Sequence, residues 1–166
     1  MELMDVYTPE HMPTGKTIER GERPGVNERI LVTHVCIFNS DGKMLIQKRS
    51  ISKASYPGIW DVSAGGGVKS GEFSFEASIR EAKEELGLEL LPEDMKFYKA
   101  IPFSYVLDDF YYIQLREIDL SALQFQKEEI SEVRFASKME VLEMIESGEF
   151  VDYDPKEIQE LFKKLS

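Results

Sequence analysis

Apolar residues recur along this chain with two different spacings, and the switch between them outlines the elements. Ile30–Phe38, rich in Ile, Val and Leu, predicts a strand, and Asn39-Ser40-Asp41-Gly42 predicts a hairpin turn into a return strand over Lys43–Gln47. Asp61–Ala64 predicts a short strand that delivers the chain into a glycine-rich loop. Met95–Pro102 and Ser104–Ile118 alternate or cluster as strands do, with Asp108-Asp109 expected as a turn or bulge between them. Ile130–Ala136 predicts another strand. Ser137 with Glu140 three residues on forms a capping box for a helix over Lys138–Ser147, whose inward side is Val141, Leu142 and Ile145. Pro155 starts a last helix with a stripe of Ile158, Leu161, Phe162 and Leu165. Residues 1–29 are polar and broken by Pro and Gly. Val6-Tyr7 and Thr17-Ile18 predict short strands in a hairpin-like N-terminal extension.

The remaining helix carries the chemistry. At about 100° per residue, Phe75, Ile79, Ala82 and Leu86 form one apolar stripe, and Glu81, Glu84 and Glu85 gather on the opposite side. A solvated face is the ordinary explanation for such a run. Two facts oppose it. Glu81 lies i,i+3 from Glu84 and i,i+4 from Glu85, so like charges face each other. Gly87 has the position of a helix-ending glycine, which places Glu84 and Glu85 in the last turn, where the helix dipole disfavours negative charge. Carboxylates clustered at the wrong end of a helix make sense around a hard divalent cation such as Mg²⁺. Gly65, Gly66, Gly67 and Gly71, just upstream, let backbone approach a ligand closely.

Gly66, Glu72, Arg80, Glu81, Ala82, Glu84, Glu85, Gly87 and Leu88 together resemble the signature box of the Nudix hydrolases, Gly-x5-Glu-x7-Arg-Glu-U-x-Glu-Glu-x-Gly-U with U apolar. The flanking segments Leu45–Ser50 and Pro57–Ser63 resemble the branch of that family that shares its layout with isopentenyl-diphosphate isomerase. The resemblance implies an α/β fold, the Nudix α/β/α sandwich with a mixed sheet. It also implies hydrolysis of a nucleoside diphosphate linked to another moiety, by metal-assisted attack of water. Mg²⁺ is the implied cofactor, with Mn²⁺ as its alternative. Carried over position by position, it makes Glu84 and Glu85 metal ligands, Glu81 a ligand or the general base, and the Gly65 carbonyl a further ligand. Arg80 is expected to hold Glu81 or a neighbouring glutamate, and Glu72 to brace the loop or Arg80, with Gly66 and Gly87 as supporting glycines. Family members often add a carboxylate from outside the box. Glu128 and Glu129 are the candidates here, Glu129 by register, and a solvated loop is the alternative for both.

Composition narrows the setting. The 166 residues are expected to form one domain, and 42% hydrophobic with 31% charged residues is ordinary for a soluble globular protein. A net charge of −11 argues against a nucleic-acid polymer as partner and leaves an anionic small-molecule diphosphate dependent on cations for binding. No stretch approaches the roughly 20 apolar residues of a membrane span, the N-terminus does not read as a signal peptide, and the lone Cys36 is consistent with the cytoplasm. Thr14-Gly15-Lys16-Thr17 lacks the first glycine of a phosphate loop, since position 10 is Glu. Lys48, Arg49 and Lys53 follow a strand and serve either substrate phosphates or solubility. Trp60 is expected in packing, His34 as a satisfied sheet residue, and the aromatic residues Phe103, Tyr105, Phe110 and Tyr112 as core or as stacking surfaces.

The isomerase layout departs at its chemistry. Its cysteine falls at Gly65 here and its metal-binding histidine at Gly67, so isomerase action is the lesser alternative. A catalytically silent nucleotide- or protein-binding module is the other. It would be favoured by a degraded glutamate set, and this set is intact. A homodimer agrees with the family resemblance, and nothing in the sequence opposes it.

Overall fold

The structure is a computed structural model that describes residues 1–165. Its centre is the apolar run expected as a strand, β3 (Arg29–Phe38); β1 (Leu3–Tyr7) and β2 (Pro13–Glu19) precede it as an antiparallel pair. β4 (Met44–Arg49), β5 (Trp60–Asp61) and β6 (Ala64–Gly67) lead into α1 (Ser74–Leu86). β7 (Lys96–Phe103), β8 (Val106–Gln114), β9 (Ile130–Ala136), α2 (Lys138–Ser147) and α3 (Pro155–Lys163) complete the order. Among the described residues the strands form one nine-stranded mixed sheet. β3 pairs parallel with β8 along its length, while β1, β6 and β4 share its other side antiparallel.

Side chains alternate across β3 and so divide the core in two. Val35 and Ile37 pack with Ala64, Ala82, Leu86 and Ile113 on the α1 side. Cys36 and Phe38 pack with Phe110, Val141, Ile158 and Leu161 on the side of α2 and α3. The layers are therefore helix, sheet, helix, the sandwich expected from the resemblance. The capping box at Ser137 and the helix start at Pro155 both hold. Ser137 and Glu140 exchange backbone bonds at the start of α2, and Asp154 caps α3 ahead of Pro155. Gly87 ends α1 in the left-handed region at φ 70°, donating back to the last turn. Trp60 is buried, with the Arg134 guanidinium 5.1 Å above its ring. Among the described residues no helix is long and apolar enough to cross a membrane.

Three expectations fail. The strand expected over Asp61–Ala64 is interrupted, since β5 ends at Asp61 and β6 begins at Ala64. Gly65, Gly66 and Gly67 are not in a loop: they form most of β6, in register with His34, Thr33 and Val32. The edge of β3 supplies their backbone partners, which a local reading of three glycines does not reveal. Asp108-Asp109 is no turn either. The turn falls at Ser104-Tyr105, with Ser104 at φ 54°, and the two aspartates lie buried within β8. They are tolerated there because histidines meet them: His34 Nδ1 lies 2.8 Å from Asp108, and His11 Nε2 lies 3.0 Å from Asp109. Both partners come from distant parts of the chain.

Candidate active site

Strand β6 lies between β3 and α1, and its missing side chains bring the two together. A Cβ on Gly66 would stand 2.3 Å from Glu81 Oε1, so only glycine lets that carboxylate lie against the strand. Gly65 donates its backbone N–H to Glu85 Oε1 at 2.8 Å. Glu81, Glu84, Glu85, Gly65 and Gly66 all line one cavity of about 1010 Å³. The carboxylates that the helical wheel grouped thus do share a space; the Glu81 side chain is 12% exposed in it, whereas Glu84, at 55%, stands at its open rim.

Arg80 organises the upstream half. Its guanidinium donates twice to Glu72, at 2.8 and 2.9 Å, once each to Glu81 (2.9 Å) and Glu84 (3.2 Å), and once to the Gly67 carbonyl (3.1 Å). All five fork positions of an arginine suit this arrangement and a lysine ammonium does not. Glu72 therefore braces Arg80, and it also accepts the Lys69 backbone N–H at 3.0 Å. Burial alone would raise the Glu72 carboxyl; the Arg80 and Lys69 bonds outweigh it and hold Glu72 below its ordinary range. The Glu72 bond in turn keeps the guanidinium firmly protonated.

The downstream half is electrostatically strained. Burial, then repulsion from Glu81 and Asp61, raises the Glu85 carboxyl to about 8, against the pull of the Gly65 N–H and of His34. Burial also raises Glu81, with Arg80 opposing and Glu84 adding. Glu85 has one hydrogen bond, on Oε1, and faces other acids from inside the protein. Surplus buried carboxylate oxygens beside a backbone carbonyl are a donor set that suits a hard divalent cation. Among the described residues no three Asp, Glu, His or Cys side chains already converge on one point, because Arg80 draws Glu81 and Glu84 to itself.

The candidates from outside the box separate. Glu129 lines the cavity and pairs with Lys53, while Glu128 contributes its carbonyl to Ser52 and is not part of the wall. Arg49 and Lys53 line the cavity too, whereas Lys48 does not. Phe103 and Phe110 belong to the wall, but Tyr105 lies under Arg23 and Tyr112 packs against the core.

The lining residues that escaped the sequence reading include His34, Asp61, Asp108 and Arg20. Burial would lower the His34 imidazolium, but Asp108, then Asp61 and Glu85, outweigh it and raise it to about 9. Its Nε2 lies 4.0 Å from Asp61, which also accepts the Tyr153 hydroxyl. Acids inside apolar runs, as at Asp108, were the available signal, since a buried carboxylate needs a partner. Arg20 left no signal at all. It sits at the end of the N-terminal hairpin, 3.0 Å from Glu2, where its charge acts on Glu81.

Comparison with known proteins agrees with this geometry. The NUDIX domain model matches residues 28–157. An uncharacterized Nudix hydrolase of Listeria monocytogenes is 40% identical over 153 residues, covering 92% of this chain and 90% of its own. The isopentenyl-diphosphate Delta-isomerase of Escherichia coli is 28% identical over 141 residues, covering 82% of this chain and 77% of its own. Among solved structures, DR0079 from Deinococcus radiodurans superposes with a TM-score of 0.75 at 27% identity, over 96% of this chain and 98% of that one. The box read from the sequence, the sandwich that carries it and relatives matching nearly end to end lead to one assignment: this protein belongs to the Nudix hydrolases, enzymes that act on pyrophosphate bonds.

Proposed function

We propose that the protein is a Mg²⁺-dependent diphosphohydrolase that cleaves a nucleoside diphosphate linked to another moiety, with water attacking phosphorus. The observation that carries this reading is that Glu81, Glu84 and Glu85 all line one cavity, with Glu85 half-buried against the Gly65 amide. Glu84, Glu85, the Gly65 carbonyl and Glu81 would hold the metal, and Glu129 is the candidate from outside the box. Bound there, a divalent cation supplies charge neutralisation at the phosphoryl oxygens and lowers the pKa of a water. Glu81, with its carboxyl raised by burial, is suited to take a proton from the attacking water if it is not itself a ligand. Arg80 fixes the position of Glu81 through the bond at 2.9 Å and is in turn fixed by Glu72.

Hydrolysis is favoured over isomerisation by the space at Gly65. A Cβ there would meet His34 Cδ2 at 2.3 Å and the Thr33 carbonyl at 2.6 Å, so the thiol of the isomerase layout has no room. The test is release of phosphate or nucleotide from a panel of nucleoside di- and triphosphates, nucleotide sugars, ADP-ribose, dinucleoside polyphosphates and isopentenyl diphosphate. Metal-dependent cleavage of one class, abolished by EDTA, is the expected result. Silence across the panel with metal binding intact would favour a binding module.

The acidic cavity also needs cations of its own for an anionic substrate. Arg20 is the one that the N-terminal hairpin brings to Glu81, and its side chain is 63% exposed, so it can exchange Glu2 for a phosphate. Arg20→Gln is expected to raise KM about tenfold, the value of one charge-assisted hydrogen bond, with a smaller change in kcat. It should also flatten the salt dependence of kcat/KM. A KM that does not move would remove the hairpin from the site.

A further inference from the structure

Beyond the glutamates the cavity floor is one face of the sheet, and part of that face is open. Register aligns Gly67, Val32, Asp108 and Ile101 in one row across β6, β3, β8 and β7. Val106 and Phe103 are paired in the next row on the same face. Three strand spacings, roughly 14 Å, separate Gly67 from Ile101. Around Cys36, Phe38 and Phe110 this face is covered by α2 and α3, and Phe110 is buried. Toward Val106 the cover ends. Val32, Ile101 and Val106 are only half-buried, and Phe103 is 64% exposed. All four line the same cavity as the glutamates.

The strip they form is apolar and has no free hydrogen-bonding side chain. Asp108 is the one polar side chain in the two rows. It is 12% exposed, and both of its oxygens lie 2.8 Å from His34 Nδ1. The near end of the strip is tied to the Nudix box, since the Gly67 carbonyl accepts from Arg80 at 3.1 Å. Exposed apolar side chains that continue an active site ask for a guest. Because the strip is open on its outer side, it takes only one face of that guest out of water. A flat heterocycle is suited to this: it stacks one face and keeps its polar edges hydrated. An alkyl chain would stay half wet, and apolar burial is favourable in proportion to area.

We propose that this strip, with Phe103 as its stacking ring, seats the nucleobase of the substrate and accepts purines and pyrimidines alike, because it meets a flat face and reads no base edge. This assignment rests on the hydrolase reading for its phosphate end.

The experiment measures kcat/KM for ADP, GDP, CDP and UDP, with ribose 5-diphosphate as the control without a base and geranyl diphosphate as the alkyl control. The four nucleotides are expected to fall within about tenfold of one another and to exceed both controls by about tenfold or more. Phe103→Ala should bring the ratio of nucleotide to ribose 5-diphosphate toward one, and Phe103→Tyr should restore it. Neither should lower Tm, since the ring is exposed. Dissociation constants for the same six compounds, measured by calorimetry on Glu85→Gln, separate seating from turnover. Nucleotide binding that depends on Phe103, with no turnover of any of the six by the wild type, would sink the hydrolase reading and uphold this seat. A preference above tenfold among the bases overturns it, and so does geranyl diphosphate matching the nucleotides. Absence of both binding and turnover across the panel overturns it as well. So does a ratio that Phe103→Ala leaves unchanged; if that variant also shifts the sedimentation of the protein, the strip is a contact between copies of the chain.

Discussion

Glu85→Gln is expected to lower hydrolysis by about 10²–10⁴, the span of a lost charge at a reacting centre, and to leave the protein folded. The amide keeps the shape of the carboxylate and its oxygen still accepts the Gly65 N–H, so the contact between β6 and α1 survives. What disappears is an ionisable oxygen whose charged form is opposed by Glu81 and Asp61 at a half-buried position. Loss of activity together with loss of fold would mean that Glu85 is structural. An unchanged rate would remove it from the chemistry.

The same variant has a signature in pH. The Glu85 carboxyl rises from 4.5 to about 8 on folding, so between these values the native protein keeps a proton that the unfolded chain has released. Its contribution to stability is fully present below pH 4.5 and is lost as pH rises through 8. His34 acts in the same direction: raised from 6.5 to about 9, it stabilises below 6.5 and loses that effect as pH rises through 9. At roughly 1.4 kcal/mol per pKa unit, the metal-free protein loses a few kcal/mol between pH 5 and pH 8. Melts in EDTA should show wild-type Tm falling across this window and a shallower fall in Glu85→Gln. A flat wild-type profile would contradict the burial of an uncompensated carboxyl.

The second large effect is a contrast between neighbours. Gly65→Ala is expected to destabilise by about 3 kcal/mol, because its Cβ would meet the backbone carbonyl of Thr33 in the central strand at 2.6 Å and the sheet must move. For a chain of this size that is a fall in Tm of roughly 6–12 °C. The three atoms nearest a Cβ at Gly66 are all in the Glu81 carboxylate, the end of a side chain that can swing away. The stability of Gly66→Ala should change by less than about 1 kcal/mol while activity falls about 10²-fold, as Glu81 leaves its place. Thermal melts and initial rates of the two variants measure this directly. Equal loss of stability in both would mean that β6 tolerates no side chain anywhere, and the special pairing of Gly66 with Glu81 would carry no catalytic meaning.

Much of this was legible in one dimension because it depends on local spacing. The stripe of Phe75, Ile79, Ala82 and Leu86 follows from helical period and packs against the sheet. The glutamates of α1 share a face for the same reason. Gly87 and the pair Ser137–Glu140 end and begin helices through bonds within a few residues. Glu72 and Arg80 meet because a short connection and two turns of helix set their distance.

What no spacing reveals is pairing across the sheet. Three glycines read as a loop until the edge of β3 meets them. Asp108-Asp109 read as a turn because a buried acid is costly, and the histidines that make it tolerable stand at positions 11 and 34. The cavity shows the same limit, since Arg20, His34, Asp61, Tyr98, Asp108 and Glu157 come from six separate segments. The box, its helix and the family are legible along the chain because they rest on contacts within some twenty residues. Which far residues face that helix is settled by strand register and chain crossing, which bring together groups whose separation along the chain carries no periodic trace.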